Sequence, residues 1–170
     1  NDPQVRAAAE EMTSRVEKQK YTTSNHDVGF IINCSFGNAL RLAPNDSIKS
    51  IIVETADNLC ARFNPEIGCI RSWDFGHWNF PVIIDNMMNL EFLMWAAKAS
   101  GDNRFRDIAV THANTTISNH FRPDYSSYHV VSYVPETGKV EVKCTHQGYS
   151  DESAWARGQV WGLYGFGMMY

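Results

Sequence analysis

No apolar run in this chain approaches the roughly 18 residues that a membrane-spanning helix needs. The opening stretch, NDPQVRAAAEEM, has neither a basic start nor an apolar centre, so no signal peptide is expected in it; a trimmed mature chain would look the same. Positive charge is scarce. Fifteen Lys and Arg against 19 Asp and Glu leave a net charge of −4, which argues against a broad nucleic-acid-binding surface. One local arginine can still hold a small anion. The four cysteines, Cys34, Cys60, Cys69 and Cys144, form no C-x-x-C pair and match no zinc spacing, so no metal site is expected. Cys34 and Cys60 fall inside apolar helical patterns, where a free thiol behaves as a small hydrophobe; buried free thiols are expected rather than a disulfide. Internal repeats are missing too. Helical segments starting near 27, 82 and 153 keep no fixed period, against TPR or HEAT arrays.

What is present is an ordinary globular composition, 44% apolar and 20% charged, in 170 residues. That length suits one domain or part of a larger one. Residues 3–19 read as a mostly polar helix with Pro near its start. Residues 27–43 read as an apolar helix closed by Pro44. Residues 46–62 begin with an Asp or Ser cap and repeat apolar positions at three and four. Residues 82–100 form a strongly apolar helix stopped by Gly101, with 103–119 as its partner. SYHVVSYV, the PETGK turn and VEVKC read as a short β-hairpin, and a last helix runs from about 153.

The spacing of these elements carries information. Helices 27–43 and 46–62 form one close pair, and 82–100 with 103–119 form another. Long loops, about 63–81 and 120–152, lie between. Short links must gather at one end of such an array and long loops at the other, beside the N-termini of 27–43, 82–100 and the last helix. Loops above about 12–15 residues in a compact domain are usually functional, so a site is expected where those N-termini meet.

Asp27, Asp85, Trp155 and Arg157 occupy the first turns there, and the long loops add Trp73, Trp78, His129, His146 and Gln147. Taken singly, Asp27 and Asp85 read as helix caps. Taken together they suggest chemistry. Two carboxylates ~5 Å apart repel by about 3 kcal/mol at an effective dielectric near 20, roughly two pKa units on one of them. Helix N-termini oppose this by only ~0.3–1 kcal/mol. One aspartate could then stay protonated near neutrality and act as a general acid. Trp161 and Tyr164, four and seven positions after Arg157, read as core. Gly158, Gly162 and Gly165 read as allowing close helix packing, and His112 and His120 as surface or core. Indole rings beside Gln and Arg suit a sugar: aromatic faces stack on C–H groups while Gln and Arg grip hydroxyls and carboxylate.

Four blocks, HDVGF (26–30), VIIDNMMNL (82–90), SSYHVV (126–131) and THQGYSDESAWARGQVWGLYGF (145–166), resemble the unsaturated glucuronyl hydrolases, glycoside hydrolase family 88. THQG followed by S-x-W-x-R-G-Q-x-W is the most specific part, and the blocks run in order over nearly the whole chain after residue 20. The related unsaturated rhamnogalacturonyl hydrolases do not share this last block. The resemblance implies an all-α (α/α)6 barrel, six helical hairpins in a ring, with a small β-hairpin in a long loop. Twelve helices of ~12 residues with ~6-residue connections need more than ~200 residues. Residues 1–170 are therefore expected to form a central segment, about half of the ring.

The resemblance also assigns roles. Asp85 would be the general acid and base and Asp27 the second carboxylate. His129, Gln147, Trp155 and Arg157 would line the unsaturated sugar, with Trp73 stacking nearby. The substrates would be oligosaccharides left by polysaccharide lyases, glycosaminoglycan-derived and ending in a 4,5-unsaturated uronate, cleaved by hydration of the vinyl ether. No metal or organic cofactor would be needed. A bacterial periplasm or cytoplasm would suit, without a choice between them, and the oligomeric state is open. The 74–81 stretch (DFGHWNFP) matches no signature of the family. The alternatives are an enzyme like the unsaturated rhamnogalacturonyl hydrolases, an ordinary toroid glycosidase acting on a saturated sugar, and a carbohydrate-binding fragment without turnover.

Overall fold

Asp2, in extended backbone, accepts N–H bonds from Gln4 and Val5 and so starts the first helix of the computed structural model, which describes residues 2–170. Helix α1 (Pro3–Val16) has Pro in its first turn, where no N–H is needed. It buries no residue of its own. A 3₁₀ turn, Glu17–Tyr21, follows; Lys20 pairs with Glu17 inside it at 3.2 Å and ties it to Glu54 of the next helical hairpin at 3.0 Å.

The segment expected as one helix over 27–43 is interrupted. It runs as α2 (Val28–Ile32), a π turn (Asn33–Gly37) and α3 (Asn38–Leu42). Val28, Ile32 and Phe36 recur every fourth residue on its buried side. Cys34 falls on the other side and is exposed, so the expected burial fails there. All four thiols are free, and Cys60, Cys69 and Cys144 are buried. Helix α4 (Asp46–Cys60) is capped by Asn45, not by Asp46 or Ser47: its side chain accepts from Ser47 and Ile48 N–H. Short strands β1 (Phe63–Asn64) and β2 (Cys69–Ile70) pair antiparallel in the loop that follows.

The apolar stretch expected as one helix over 82–100 is three things. It begins as strand β3 (Pro81–Ile83), turns through a 3₁₀ segment (Ile84–Met88) and only then becomes α5 (Asn89–Ser100). Gly101, at φ 78°, ends it in the left-handed conformation that glycine takes without strain. Asp102 caps α6 (Asn103–Asn119). Strands β4 (Val130–Tyr133) and β5 (Val140–Cys144) form the expected hairpin, and α7 (Ala156–Met169) closes the chain.

The main core lies between α2, α4, α5 and α6. Ile52, Ala56, Leu59, Leu90, Phe92, Leu93, Phe105 and Ala109 are fully or almost fully buried in it. His112 and His120 are core residues: His112 Nδ1 accepts Ile70 N–H at 3.0 Å, and His120 Nε2 meets Val82 C=O at 3.0 Å.

The three-stranded sheet β3–β4–β5 places the site. Its register sets Ile83 opposite Val130 and Val130 opposite Cys144. Directly opposed residues share a face, and these three pack with Trp73. Asp85 comes two residues after Ile83, His129 one before Val130, and Thr145 one after Cys144. Three segments distant in sequence therefore leave the sheet at the same end.

Helix α7 lies on the 3₁₀ segment that carries Asp85. A Cβ on Gly158 would sit 2.7 Å from the Ile84 side chain, and one on Gly165 would sit 2.6 Å from the Met87 carbonyl oxygen. Side chains can yield, but backbone cannot do so cheaply. Gly165→Ala is expected to cost about 1–3 kcal/mol by overpacking, seen as a lower unfolding midpoint.

Candidate active site

Asp27 and Asp85 line one cavity of roughly 500 Å³, together with Trp73, Phe75, His146 and Gln147. Neither aspartate caps a helix through its side chain. Asp27 immediately precedes α2, and its carboxylate lies 3.6 Å from the buried His26 ring. Burial lowers the His26 pKa, which keeps that ring neutral. Asn89 locks this corner: its Nδ2 donates to His26 C=O at 3.2 Å and to Asn86 Oδ1 at 2.8 Å. Gly29 leaves it room, since a Cβ there would lie 2.1 Å from Asn89 Oδ1. The blocks HDVGF and VIIDNMMNL thus fit each other.

Asp85 is the more buried carboxyl, its side chain 14% exposed against 62% for Asp27. Its Oδ2 is buried and accepts no hydrogen bond. Burial pushes its pKa up to about 6. Its own backbone N–H, the Arg157 charge and the Trp161 indole act the other way, while Asp27 raises it a little. The expected order of causes is therefore reversed. Desolvation leads and carboxylate repulsion is minor, because the exposed Asp27 is screened by water.

His129 lies beneath the cavity wall, 2% exposed. Its Nδ1 accepts N–H bonds from His146 and Gln147 at 3.0 and 3.1 Å, and its Nε2 is 3.8 Å from Asp85 Oδ2. Burial, followed by the neighbouring His146, lowers its pKa to about 4, so the pair with Asp85 is not an ion pair at neutral pH.

THQG is a turn. Thr145 Oγ1 accepts Gly148 N–H at 2.7 Å, and Asp151 accepts Thr145 N–H at 2.8 Å. Gln147 Oε1 accepts a long bond, 3.3 Å, from Arg157. The Arg157 guanidinium sits 4.2 Å from the Trp155 ring centre, and that ring is 4.6 Å from His129. Trp155, Arg157 and His129 border the cavity through these contacts and do not line it directly. Gln159 fastens α7 to the loop before β4, accepting Ser127 N–H at 2.7 Å and donating to Tyr125 C=O at 2.9 Å.

Trp73 is buried and stacks on Phe75, ring centres 4.9 Å apart, with Trp78 and His146 at 5.6 and 5.5 Å. Phe75 escaped sequence reasoning, although the density of aromatics in WDFGHWNF was a signal. Trp161 was read as core. It is half-buried against Phe30 at 5.8 Å, with its indole also close enough to act on Asp85. His26 and Asn89 gave no sequence signal beyond their blocks. Arg62 braces the cavity from behind. It is bidentate to Asp74 at 2.9 and 3.1 Å and also donates to the carbonyls of Thr23 and Arg71. It so joins the two loops that carry Asp27 and Trp73. Among the described residues, no group of His, Cys, Asp and Glu is arranged to hold a metal ion, and no helix is long and apolar enough to cross a membrane.

No protein-family model matches the chain. Individual proteins do. It is 50% identical, over 172 positions and 99% of its length, to the unsaturated glucuronyl hydrolase of Formosa agariphila, of which it covers 43%. The chain is related to the unsaturated glucuronyl hydrolases. A crystal structure of an unsaturated glucuronyl hydrolase specific for heparin superposes with a TM-score of 0.96 at 53% identity, over 99% of this chain and 46% of that one. The unsaturated glucuronyl hydrolase of Bacillus sp. GL1, responsible for the degradation of glycosaminoglycan, gives 0.92 at 32% identity with the same coverage. The chain spans less than half the length of the unsaturated glucuronyl hydrolases it matches, and shares with that part a mainly helical fold with small sheets.

Proposed function

We propose that this chain carries the catalytic carboxyl of an enzyme that removes a terminal 4,5-unsaturated uronate from glycosaminoglycan-derived oligosaccharides. The observation that carries the reading is Asp85: a buried carboxyl with its pKa raised to about 6, facing a cavity walled by aromatic rings. A general acid near neutrality needs this property. The names borne by the related hydrolases point the same way.

In this reading Asp85 protonates C4 of the vinyl ether. The resulting cation at C5 is shared with the ring oxygen. Water adds at C5 and gives its proton to the Asp85 carboxylate. The hemiketal then opens and frees the neighbouring sugar. Asp27 accepts a hydrogen bond from a sugar hydroxyl, Trp73 and Phe75 flank the ring, and Gln147 and Arg157 take the uronate's polar edge. The chemistry is hydration, so the carboxylate-spacing rule for retaining and inverting glycosidases does not govern it. The chain is further read as about half of an (α/α)6 ring. In support, Val160 and Leu163 on α7 are 56% and 75% exposed, an apolar edge that further helices would cover.

The test follows the ultraviolet absorbance of the C4–C5 double bond in unsaturated disaccharides of chondroitin and heparin type. Loss of absorbance with the whole protein is expected. Cleavage of a saturated glycoside without such loss would replace this reading with an ordinary glycosidase. Binding without loss would leave a carbohydrate-binding protein.

A further inference from the structure

The THQG turn aims two backbone N–H groups at a single ring nitrogen. Both His146 N and Gln147 N donate to His129 Nδ1. A nitrogen that accepts hydrogen bonds carries no proton of its own, so in the neutral ring the proton resides on Nε2. That Nε2 is buried, has no other partner and faces the equally unpartnered Asp85 Oδ2 at 3.8 Å. The turn that delivers the two N–H groups is closed by Thr145 Oγ1 accepting from Gly148, and Thr145 Oγ1 itself lies 3.5 Å from His129 Nδ1. A side chain at position 148 would strike Thr145 Oγ1 at 2.5 Å, so Gly148 is part of the same device.

We propose that the Thr145–Gly148 turn is a positioning device that locks His129 as the Nε2–H tautomer. His129 is thereby a donor towards Asp85 and cannot take its proton. This inference rests on the reading of Asp85 as the acid and base. A histidine with a free choice of tautomer could accept that proton and form a shared-proton pair, which would leave Asp85 less able to protonate carbon. With Nδ1 occupied, the proton of Asp85 has only the substrate or solvent to go to. When Asp85 becomes a carboxylate, the Nε2–H favours that form without a net charge. Besides Asp85, the titratable and charged groups acting on His129 are His146, His120, Arg157 and His26.

The experiment is nitrogen-15 NMR of the histidine rings in the whole protein, alone and with Thr145→Val and Thr145→Ser. The parent is expected to show His129 neutral and protonated at Nε2 between about pH 5 and 8, with no titration step shared with Asp85. Thr145→Val should admit the Nδ1–H tautomer and lower kcat at least about tenfold with little change in KM. Thr145→Ser keeps the acceptor oxygen and should keep the parent tautomer and most of kcat. An Nδ1–H tautomer in the parent, or a common titration of His129 and Asp85, overturns the proposal. So does a Val variant that keeps the Nε2–H tautomer yet loses kcat. If the parent turns over no unsaturated disaccharide, the acid–base reading fails while the spectra still decide what the turn does.

Discussion

Asp85→Asn is expected to lower kcat by about 10²–10⁴-fold while making the folded protein more stable at neutral pH. The two effects share one cause. Burial raises the folded pKa of Asp85 from 3.8 to about 6. Between those values the folded state holds a proton that the unfolded state has released, so stability from this group falls as pH rises. Above pH 6 the full cost is present, at most about 3 kcal/mol at 1.36 kcal/mol per unit. Asparagine has no charge to desolvate and escapes that cost. Its benefit should vanish below about pH 4, where the aspartate is protonated in both states. Activity has the same origin: kcat/KM is expected to fall as pH rises above about 6, because the acid form of Asp85 is being lost. Denaturant unfolding of both proteins at neutral and acidic pH, with the absorbance assay alongside, checks both signs. A variant that is inactive and also less stable at neutral pH would show that Asp85 holds the fold rather than straining it.

Acid should unfold this protein through its buried histidines. Burial lowers the pKa of His112 to about 3 and those of His120 and His129 to about 4, from 6.5. These groups fold neutral, and the unfolded chain binds their protons first. Their contribution is complete above pH 6.5 and is lost as pH falls towards the folded values. Each loses about 1.4 kcal/mol per pH unit in that window, so the three together lose about 4. Asp85 returns about 1.4 per unit between 6 and 3.8, too little to compensate. Against a whole-domain stability of about 5–15 kcal/mol, a steep loss is expected near pH 5. His120→Leu should flatten that slope, although it gives up the contact with Val82 C=O. Circular dichroism against pH measures it. An unfolding midpoint that stays level from pH 7 to 4 would mean that these rings reach water.

The sequence alone carried the helix pairs in outline, the hairpin and several of the residues that meet at the cavity, Asp27, Asp85, Trp73 and Gln147 among them, but not Phe75. Asn45, Gly101 and Asp102 are local signals, because capping and left-handed turns depend on a few adjacent residues. The specific blocks around Asp85 and Thr145–Trp161 were readable only through their resemblance to the unsaturated glucuronyl hydrolases, which a short run of residue types is enough to carry. Strand β3 was not readable. Pro81–Ile83 is an apolar run with no period that separates strand from helix, and only pairing with β4 makes it a strand. That pairing decides the site. It sets Asp85 beside His129 across 43 intervening positions and sends the THQG turn to the same end. The source of the raised Asp85 pKa was equally hidden, because burial depends on how α7 and the sheet enclose the Ile84–Met88 turn. Desolvation is a property of the whole surroundings, and no spacing of carboxylates along the chain encodes it.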